Sequence, residues 1–168
     1  MTDLRQAREA IVREHMESEN VHDFETTMST FSHPRYEIVP TGDVHDGAVE
    51  VDRYFKETRT AFPDQRNELI AMHHSDDAVL VEFNLRGTHD GPYRRLPPTG
   101  RSFTCRMLAV FVFEEDRLVC ERVYFDSATI LRQLGIAHDP LTLKGRLATA
   151  VNHPVTVGRA MVRRVAGR

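Results

Sequence analysis

One aspartate, Asp126, closes an apolar run that reads as a strand, directly after Tyr124 and Phe125. A carboxylate can act as a general base near neutral pH when apolar surroundings raise its pKa. A helical pattern begins immediately afterwards at Ser127, so the same carboxylate could instead cap that helix. A capping role would lower its pKa, which is the wrong direction for a base. The residues themselves leave both roles open.

His89 is the second residue whose type suits acid/base chemistry. It shares strand parity with four apolar residues, Val79, Val81, Phe83 and Leu85. Residues of equal parity lie on one face of a strand, and we expect this face to line a pocket. There His89 could polarise a substrate oxygen or relay a proton near pH 7. The alternative is a histidine held by hydrogen bonds in the following loop, with Asp90 or the backbone as its partner.

Further polar side chains are candidates for the pocket wall: His15, Tyr36, Tyr54, Arg106 and Tyr124. His15 lies on a predicted helix and could face either the cavity mouth or solvent. Tyr36 and Tyr54 could donate hydrogen bonds to a ligand or simply pack in the core. Arg106 could hold an anionic group, or it could pair across strands with Glu82 or Glu121.

Other kinds of site lack their sequence signatures. His73 and His74 are consecutive strand residues, so their side chains point to opposite faces and cannot chelate one metal. There is no zinc spacing, no glycine-rich phosphate loop and no nucleophile elbow. The residues themselves therefore give no reason to expect a metal site. Cys105 and Cys120 both sit in apolar runs and are expected to be buried thiols in a reducing compartment.

The elements that must position these residues follow an α+β order. Helical patterns cover residues 3–18, 24–31 and 47–62, with a strand over 35–41 between the second and third. Strands are predicted over 69–74, 78–89, 101–113 and 117–126, then a short helix over 127–134. A loop at 90–100, rich in proline and glycine, joins the two middle strands. A curved antiparallel sheet with helices on one face naturally leaves a pocket.

Length and charge narrow the class of protein. The 168 residues, 40% of them hydrophobic, suit one domain with a real core. No run approaches the roughly 18 apolar residues of a membrane span, and the charged N-terminus does not resemble a secretory signal, so we expect a cytoplasmic protein. The net charge of −3 divides into −8 for residues 1–135 and +5 for residues 136–168.

The basic segment 136–168 has several possible partners. Such a charge could meet nucleic acid, an anionic membrane or an acidic partner surface. Its apolar residues alternate with basic ones, which suits an amphipathic helix on an anionic surface, although Pro154 interrupts any single long helix. We expect the segment to pack against the acidic body as a helical extension, and we expect no nucleic-acid partner.

Four segments carry a family resemblance. They read YEIVPTG over 36–42, DGAVEVDRYFKETRTAFPD over 46–64, GTHDGPYRRLPPTGRSFT over 87–104 and YFDSATILRQLG over 124–135. These segments are similar to motifs of the SnoaL-like polyketide cyclases, also called ester cyclases, within the nuclear transport factor 2-like superfamily. The resemblance runs across roughly residues 10–135 and leaves the basic segment outside it.

The resemblance implies a cone-shaped, cystatin-like domain over residues 1–135 around one apolar pocket. It implies a homodimer and a small, largely apolar, oxygen-bearing ligand. The characterised cyclases close a ring by intramolecular aldol condensation without a metal or organic cofactor, and the carboxylate that matches their acid/base residue is Asp126. Our leading hypothesis is acid/base catalysis with Asp126 as the base and His89 as a helper. The superfamily also contains binding proteins without activity, so a ligand-binding or protein-interaction module is the alternative.

Overall fold

The computed structural model describes residues 2–166, with the side chains of residues 3–164. Arg168 and the last part of the predicted extension lie outside this range. The helices are α1 (Thr2–Asn20), α2 (Phe24–Ser29), α3 (Ala48–Ala61), α4 (Ser127–Gln133), α5 (Leu143–Asn152) and α6 (Pro154–Ala166). The strands are β1 (Arg35–Ile38), β2 (Asp43–Asp46), β3 (Arg66–His74), β4 (Ala78–Thr88), β5 (Ser102–Glu114) and β6 (Arg117–Phe125).

All six strands belong to one sheet in the order β2-β1-β6-β5-β4-β3. Every pairing is antiparallel except that of β1 with β6, which is parallel. The register shifts at Leu69/Ala71 and again at Val112/Phe113. Such bulges increase the twist and bend of a sheet, and here they accompany its curled, unclosed form. The expected α+β cone is therefore confirmed.

The concave face of the sheet carries the core. In β5 the buried residues alternate with more exposed ones, and the buried series is Phe103, Cys105, Met107, Ala109, Phe111 and Phe113. Helices α1 and α3 cover this face with buried side chains that include Val12, Met16, Val51 and Phe55. Because burial follows strand parity, each residue's parity decides whether it can reach the interior.

Strand β2 is an element that the sequence did not predict. The strand expected over 35–41 ends at Ile38, and the backbone then turns at Gly42, which has a φ of +74°. It then returns as β2, antiparallel to β1, with Tyr36 opposite His45. The four residues of β2 read DVHD, and this polar, short edge strand lacks the apolar alternation by which strands are recognised.

Within the described residues the basic extension forms helices α5 and α6, in line with the helical extension predicted. Helices α5 and α6 contact each other, while most of their side chains are exposed. Pro154 occupies the start of α6, where the missing N–H costs nothing, so it begins a second helix. Among residues 2–166, no helix combines the length and apolar character that crossing a bilayer requires.

Candidate functional site

A pocket of about 340 Å³ lies between the concave face of the sheet and helices α1, α3 and α4. Its walls are mainly apolar, formed by residues such as Ile38, Phe55, Phe83, Leu85, Phe103 and Met107. Tyr93 and Leu96 from the loop after β4, together with Ile130 and Leu134 of α4 and its C-cap, also contribute to the lining. The cavity therefore suits a small, largely apolar ligand.

The polar part of the lining includes two carboxylates, Glu19 and Glu121. Glu121 shares strand parity with Val123 and Phe125, and all three side chains line the pocket. Its residue surface is only 5% exposed. Tyr36 of β1 and Asn67 of β3 join the two carboxylates in the lining. Three strands and one helix thus bring polar groups together inside an otherwise apolar cavity.

His15 lies behind this wall, fully buried, and contacts three polar side chains. Its Nε2 is 3.1 Å from Oε2 of Glu121 and 2.7 Å from the Tyr36 hydroxyl. Its Nδ1 is 2.8 Å from Oγ1 of Thr30. The Thr30 hydroxyl donates to the Thr27 carbonyl, at 2.7 Å, so it accepts the proton of Nδ1. The other nitrogen, Nε2, faces Glu121.

The environment raises the pKa of both members of the His15–Glu121 pair. Burial raises the pKa of Glu121, and the charge of Glu19 adds to this, while contact with His15 opposes it. Burial lowers the pKa of His15, but the close contact with Glu121 and the charges of Glu121 and Glu19 outweigh that effect. The pair therefore retains a proton more tightly than the separate side chains would in water.

The partners of Glu121 differ from those of Glu19. In Glu19, Oε1 accepts from the Tyr36 hydroxyl at 3.2 Å and Oε2 accepts from the Asn67 side chain at 2.6 Å. Oε2 of Glu121 lies close to His15 but has no hydrogen bond of good geometry among the described residues. Burial and the nearby carboxylates raise the pKa of Tyr36 well above its ordinary value, so this hydroxyl stays a neutral donor. Glu121 is thus the carboxylate best able to exchange a proton with a ligand.

The same cluster contains the donor types of a divalent cation site. The nearest ligand atoms of His15, Glu19 and Glu121 all lie within 4.8 Å of one another. One histidine and two carboxylates could hold such an ion in principle. The Tyr36 hydroxyl, however, lies 2.7 Å from Nε2 of His15, which is the nitrogen that a metal would need. The present geometry satisfies this nitrogen with a hydrogen bond.

His89 combines the two alternatives considered from the sequence. It is fully buried and lines the pocket with Phe83 and Leu85, as its parity predicted. Its Nδ1 accepts a hydrogen bond from the Thr99 backbone N–H at 3.3 Å, so a loop residue does hold it, although the partner is not Asp90. Nε2 has no hydrogen-bond partner among the described residues. With Nδ1 as an acceptor, neutral His89 carries its proton on Nε2.

Asp126 lies outside the pocket lining and has the geometry of the capping alternative. Its carboxylate accepts from the Ala128 N–H at 3.0 Å and from the Thr129 hydroxyl at 2.6 Å. Arg132 contacts it at 3.2 Å. The Thr129 hydrogen bond is the largest cause of a lowered pKa, and the Ala128 bond and the Arg132 charge act in the same direction. This lowering is opposite to what a base near neutral pH needs.

Of the three other residues predicted to line the pocket, only Tyr54 does so; Arg106 and Tyr124 do not. Tyr54 lines the pocket, where burial raises its pKa, and its ring stacks on His45 at 4.6 Å. Arg106 and Tyr124 do not line the pocket, because each has the strand parity of the outer face. The pairing expected for Arg106 also differs: Glu82 lies 3.4 Å from His73, while Glu121 is inside the cavity.

Sequence reasoning missed the central residues of this site. Glu121 was considered only as a surface partner, and Glu19, Asn67 and Arg59 were not singled out. A usable signal was present, since Glu121 shares parity with the apolar Val123 and Phe125 in an otherwise half-buried strand. His15 and Glu19 are four residues apart on α1 and so share one helix face. The cluster itself depends on the pairing of β1 with β6, which no local pattern reveals.

Comparisons with known proteins agree with this architecture. The sequence model of the SnoaL-like polyketide cyclases matches residues 8–134. A search of curated proteins gives no match. IdmH of Streptomyces antibioticus, a proposed polyketide cyclase, is 25% identical, with a TM-score of 0.65 over 76% of this chain and 98% of that chain.

Two further structures show the same fold at lower identity. A proposed SnoaL-like polyketide cyclase from Jannaschia is 16% identical, with a TM-score of 0.71 over 80% of this chain and 94% of that one. A Catenulispora acidiphila protein with a ketosteroid isomerase-like fold is 14% identical, with a TM-score of 0.65 over 75% and 92%. The fold is thus of the nuclear transport factor 2 and ketosteroid isomerase type. With the family match over most of its length, the chain belongs to the SnoaL-like polyketide cyclase family.

Proposed function

We propose that this protein binds a small, apolar, carbonyl-bearing molecule and catalyses acid/base chemistry on it with Glu121 as the base. The observation that carries the proposal is a buried carboxylate of raised pKa that lines an apolar cavity and contacts His15. These are the conditions under which a carboxylate works as a base near neutral pH. His15 acts through Glu121 and does not itself line the cavity, so it is a positioning residue.

The reaction that fits the family is an intramolecular aldol closure. Glu121 removes a proton from the carbon next to one carbonyl, and the resulting enolate carbon attacks a second carbonyl of the same molecule. One carbon–carbon bond forms, the second carbonyl becomes an alkoxide, and the alkoxide takes back one proton. Atoms and charge balance without a redox step, so the side chains need only move protons and stabilise the oxygen charge.

Two buried donors support a ligand that carries oxygen. Nε2 of His89 and Nε of Arg59 are both without a hydrogen-bond partner among the described residues, and both residues line the pocket. An unpaired buried donor costs free energy, which a ligand oxygen would recover on binding. We assign His89 the role of helper, as a donor to a carbonyl or alkoxide oxygen, and Arg59 the role of a second oxygen contact.

Hydrogen–deuterium exchange tests the base directly. We would incubate the protein with 2-tetralone, a bicyclic ketone, in D₂O and follow loss of the α-proton signals by NMR. Wild type should accelerate the exchange, and Glu121→Gln should slow it by at least about 100-fold. Glu68→Gln, a matched change at a half-buried carboxylate that is paired with Arg86 and lies outside the pocket lining, should leave the exchange rate unchanged.

Three other results would each contradict the proposed role of Glu121 in a different way. Full activity in Glu121→Gln would remove Glu121 from the mechanism, and loss of activity in Asp126→Asn would return the base to Asp126. A tetralone-dependent rise in melting temperature without any exchange in wild type would show a binding protein, which is the alternative function. The same NMR samples report binding and turnover separately.

The same proposal includes an expectation about the oligomeric state and one about the cellular compartment. A second copy of the chain would cover the outer sheet face, where Ile70 and Tyr124 are exposed. Light scattering after size-exclusion chromatography should then give the mass of a dimer, and a monomer mass would contradict it. The two cysteines, Cys105 and Cys120, are buried and unpaired, which suits the cytoplasm.

A further inference from the structure

The extension formed by α5 and α6 is uniformly basic. Between residues 140 and 166 the chain has no aspartate or glutamate, and its cationic side chains are Lys144, Arg146, Arg159, Arg163 and Arg164. The preceding 135 residues are strongly acidic by contrast. The positive charge of the extension is therefore concentrated on two neighbouring helices.

The extension also exposes large apolar side chains. The exposed fractions are 88% for Leu141, 70% for Leu147, 76% for Val151, 64% for Met161 and 68% for Val162. Side chains of this size are normally covered in a folded domain, and contiguous exposure of this kind marks an interaction surface. The covering partner must supply apolar contact as well as negative charge.

The helical spacing separates the two kinds of side chain. In α5, Leu143, Leu147 and Val151 follow at intervals of four and so lie along one face. In α6, Val155, Met161 and Val162 lie on one side of the helix. The other side carries Arg159, Arg163 and Arg164. Pro154 starts α6 after a break of one residue, so the extension consists of two separate amphipathic helices.

We propose that α5 and α6 bind the surface of an anionic lipid bilayer. A bilayer interface offers negative headgroups above hydrocarbon, which matches basic side chains flanking an apolar stripe. Long lysine and arginine side chains at the border of the stripe can reach the headgroups while their stems stay in apolar surroundings. Nucleic acid would satisfy the charge but leave the leucines and valines exposed. The acidic surface of a second copy is the competing occupant.

Sedimentation with sucrose-loaded vesicles tests this proposal on the full chain. We would compare vesicles that contain about 30% phosphatidylglycerol in phosphatidylcholine with vesicles of phosphatidylcholine alone. The first kind has a charge density of the order found at anionic membranes, and the second is uncharged overall. The partition coefficient should be at least about tenfold higher on the anionic vesicles, and added salt should reduce it because salt screens the headgroup charge.

Matched variants separate charge from apolar contact. The triple change Arg159→Gln, Arg163→Gln and Arg164→Gln should abolish the preference for anionic vesicles, and Met161→Glu with Val162→Glu should abolish binding. The control removes three exposed charges from the body, with Arg5→Gln, Arg13→Gln and Arg53→Gln, and should bind like wild type.

Three results would overturn the proposal. These are equal binding to both kinds of vesicle, unchanged binding in the double variant Met161→Glu with Val162→Glu, or a dimer whose formation requires the three arginines and prevents vesicle binding. The last result would identify a second copy as the occupant. Exchange of 2-tetralone by the same variants reports on the pocket separately, so failure of one proposal does not imply failure of the other.

Discussion

His15 and Glu121 meet inside the protein, with Nε2 and Oε2 3.1 Å apart and both side chains almost completely removed from solvent. Helix α1 supplies the imidazole and strand β6 the carboxylate, so the contact joins the beginning of the domain to its end. An isolated charge at this depth would be strongly unfavourable. The pair is stable because each member favours the charged form of the other, and this coupling makes it sensitive to pH.

The stability of the folded protein should fall as pH rises through the neutral range. The folded-state pKa of both His15 and Glu121 is raised above the ordinary values of 6.5 and 4.5. A group with a raised folded pKa stabilises the fold at low pH and loses that contribution as pH rises through the folded value. A tenfold tighter hold on one proton in the folded state corresponds to about 1.4 kcal/mol of stability. Urea unfolding between pH 6 and pH 9 should show the decline.

The variant Glu121→Gln should flatten this pH dependence. Without the carboxylate, burial lowers the pKa of His15 and its stabilising contribution in the neutral range disappears. Glu68→Gln, at a half-buried site outside the pocket lining, should retain the wild-type slope. A wild-type free energy of unfolding that rises between pH 6 and pH 9 would show that the pair does not hold its proton as the structure implies.

The hydroxyl of Tyr36 should be worth more to stability than an exposed tyrosine hydroxyl. It lies 2.7 Å from Nε2 of His15 and 3.2 Å from Oε1 of Glu19. Tyr36→Phe removes this hydroxyl and leaves Nε2 of His15 and Oε1 of Glu19 without it, at a cost of about 1–3 kcal/mol. Tyr124→Phe on the outer face is the control and should cost less than about 0.5 kcal/mol. Equal costs in urea unfolding would contradict the buried network.

The sequence predicted which strand face lines the pocket better than it predicted which carboxylate lies in the pocket. Parity placed His89 correctly on the pocket face, because alternation in β4 is regular and depends only on neighbours in the chain. Glu121 escaped notice because its burial depends on the curl of the whole sheet and on a register shift in β5–β6. Asp126 has the same strand-end position in either role, and only the placement of Ala128 and Thr129 distinguishes a cap from a base. The burial of Glu121 thus depends on long-range strand pairing, whereas the role of Asp126 depends on how the backbone begins α4.

Loss of the Asp126 side chain should affect stability and spare the pocket chemistry. Asp126→Ala removes the N-cap of α4 and its hydrogen bonds, which should lower the melting temperature by a few degrees. Asp23→Ala removes the equivalent cap of α2, with its bond to the Thr26 N–H, and serves as the matched comparison. Both variants should exchange 2-tetralone at the wild-type rate. A specific loss of exchange in Asp126→Ala alone would show that this carboxylate has a role beyond capping.

Divalent metal ions should not stabilise the His15–Glu19–Glu121 cluster. A metal would have to displace the Tyr36 hydroxyl from Nε2 of His15 and the Asn67 amide from Glu19. Additions of Zn²⁺ or Mn²⁺ should therefore leave the melting temperature of wild type unchanged, and EDTA should leave the exchange activity unchanged. Tyr36→Phe supplies the comparison, because it vacates one of these positions. A rise in wild-type melting temperature that His15→Gln abolishes would instead establish a metal site.

The loop after β4 should be intolerant of a side chain at Gly91. Its backbone N–H donates to the Ala61 carbonyl at 3.2 Å, and this bond holds the loop against the end of α3. A Cβ at this position would overlap the carbonyl oxygen of Thr60, which is main chain and cannot move without shifting the helix. Gly91→Ala should therefore cost at least about 2 kcal/mol of stability. It should also weaken 2-tetralone binding, because Tyr93 and Leu96 of the same loop line the pocket.

The control is Gly158→Ala, in α6 with open space around it, which should be neutral or stabilising and leave ligand binding intact. If Gly91→Ala melts and binds like wild type, the close packing of this loop on α3 does not shape the pocket.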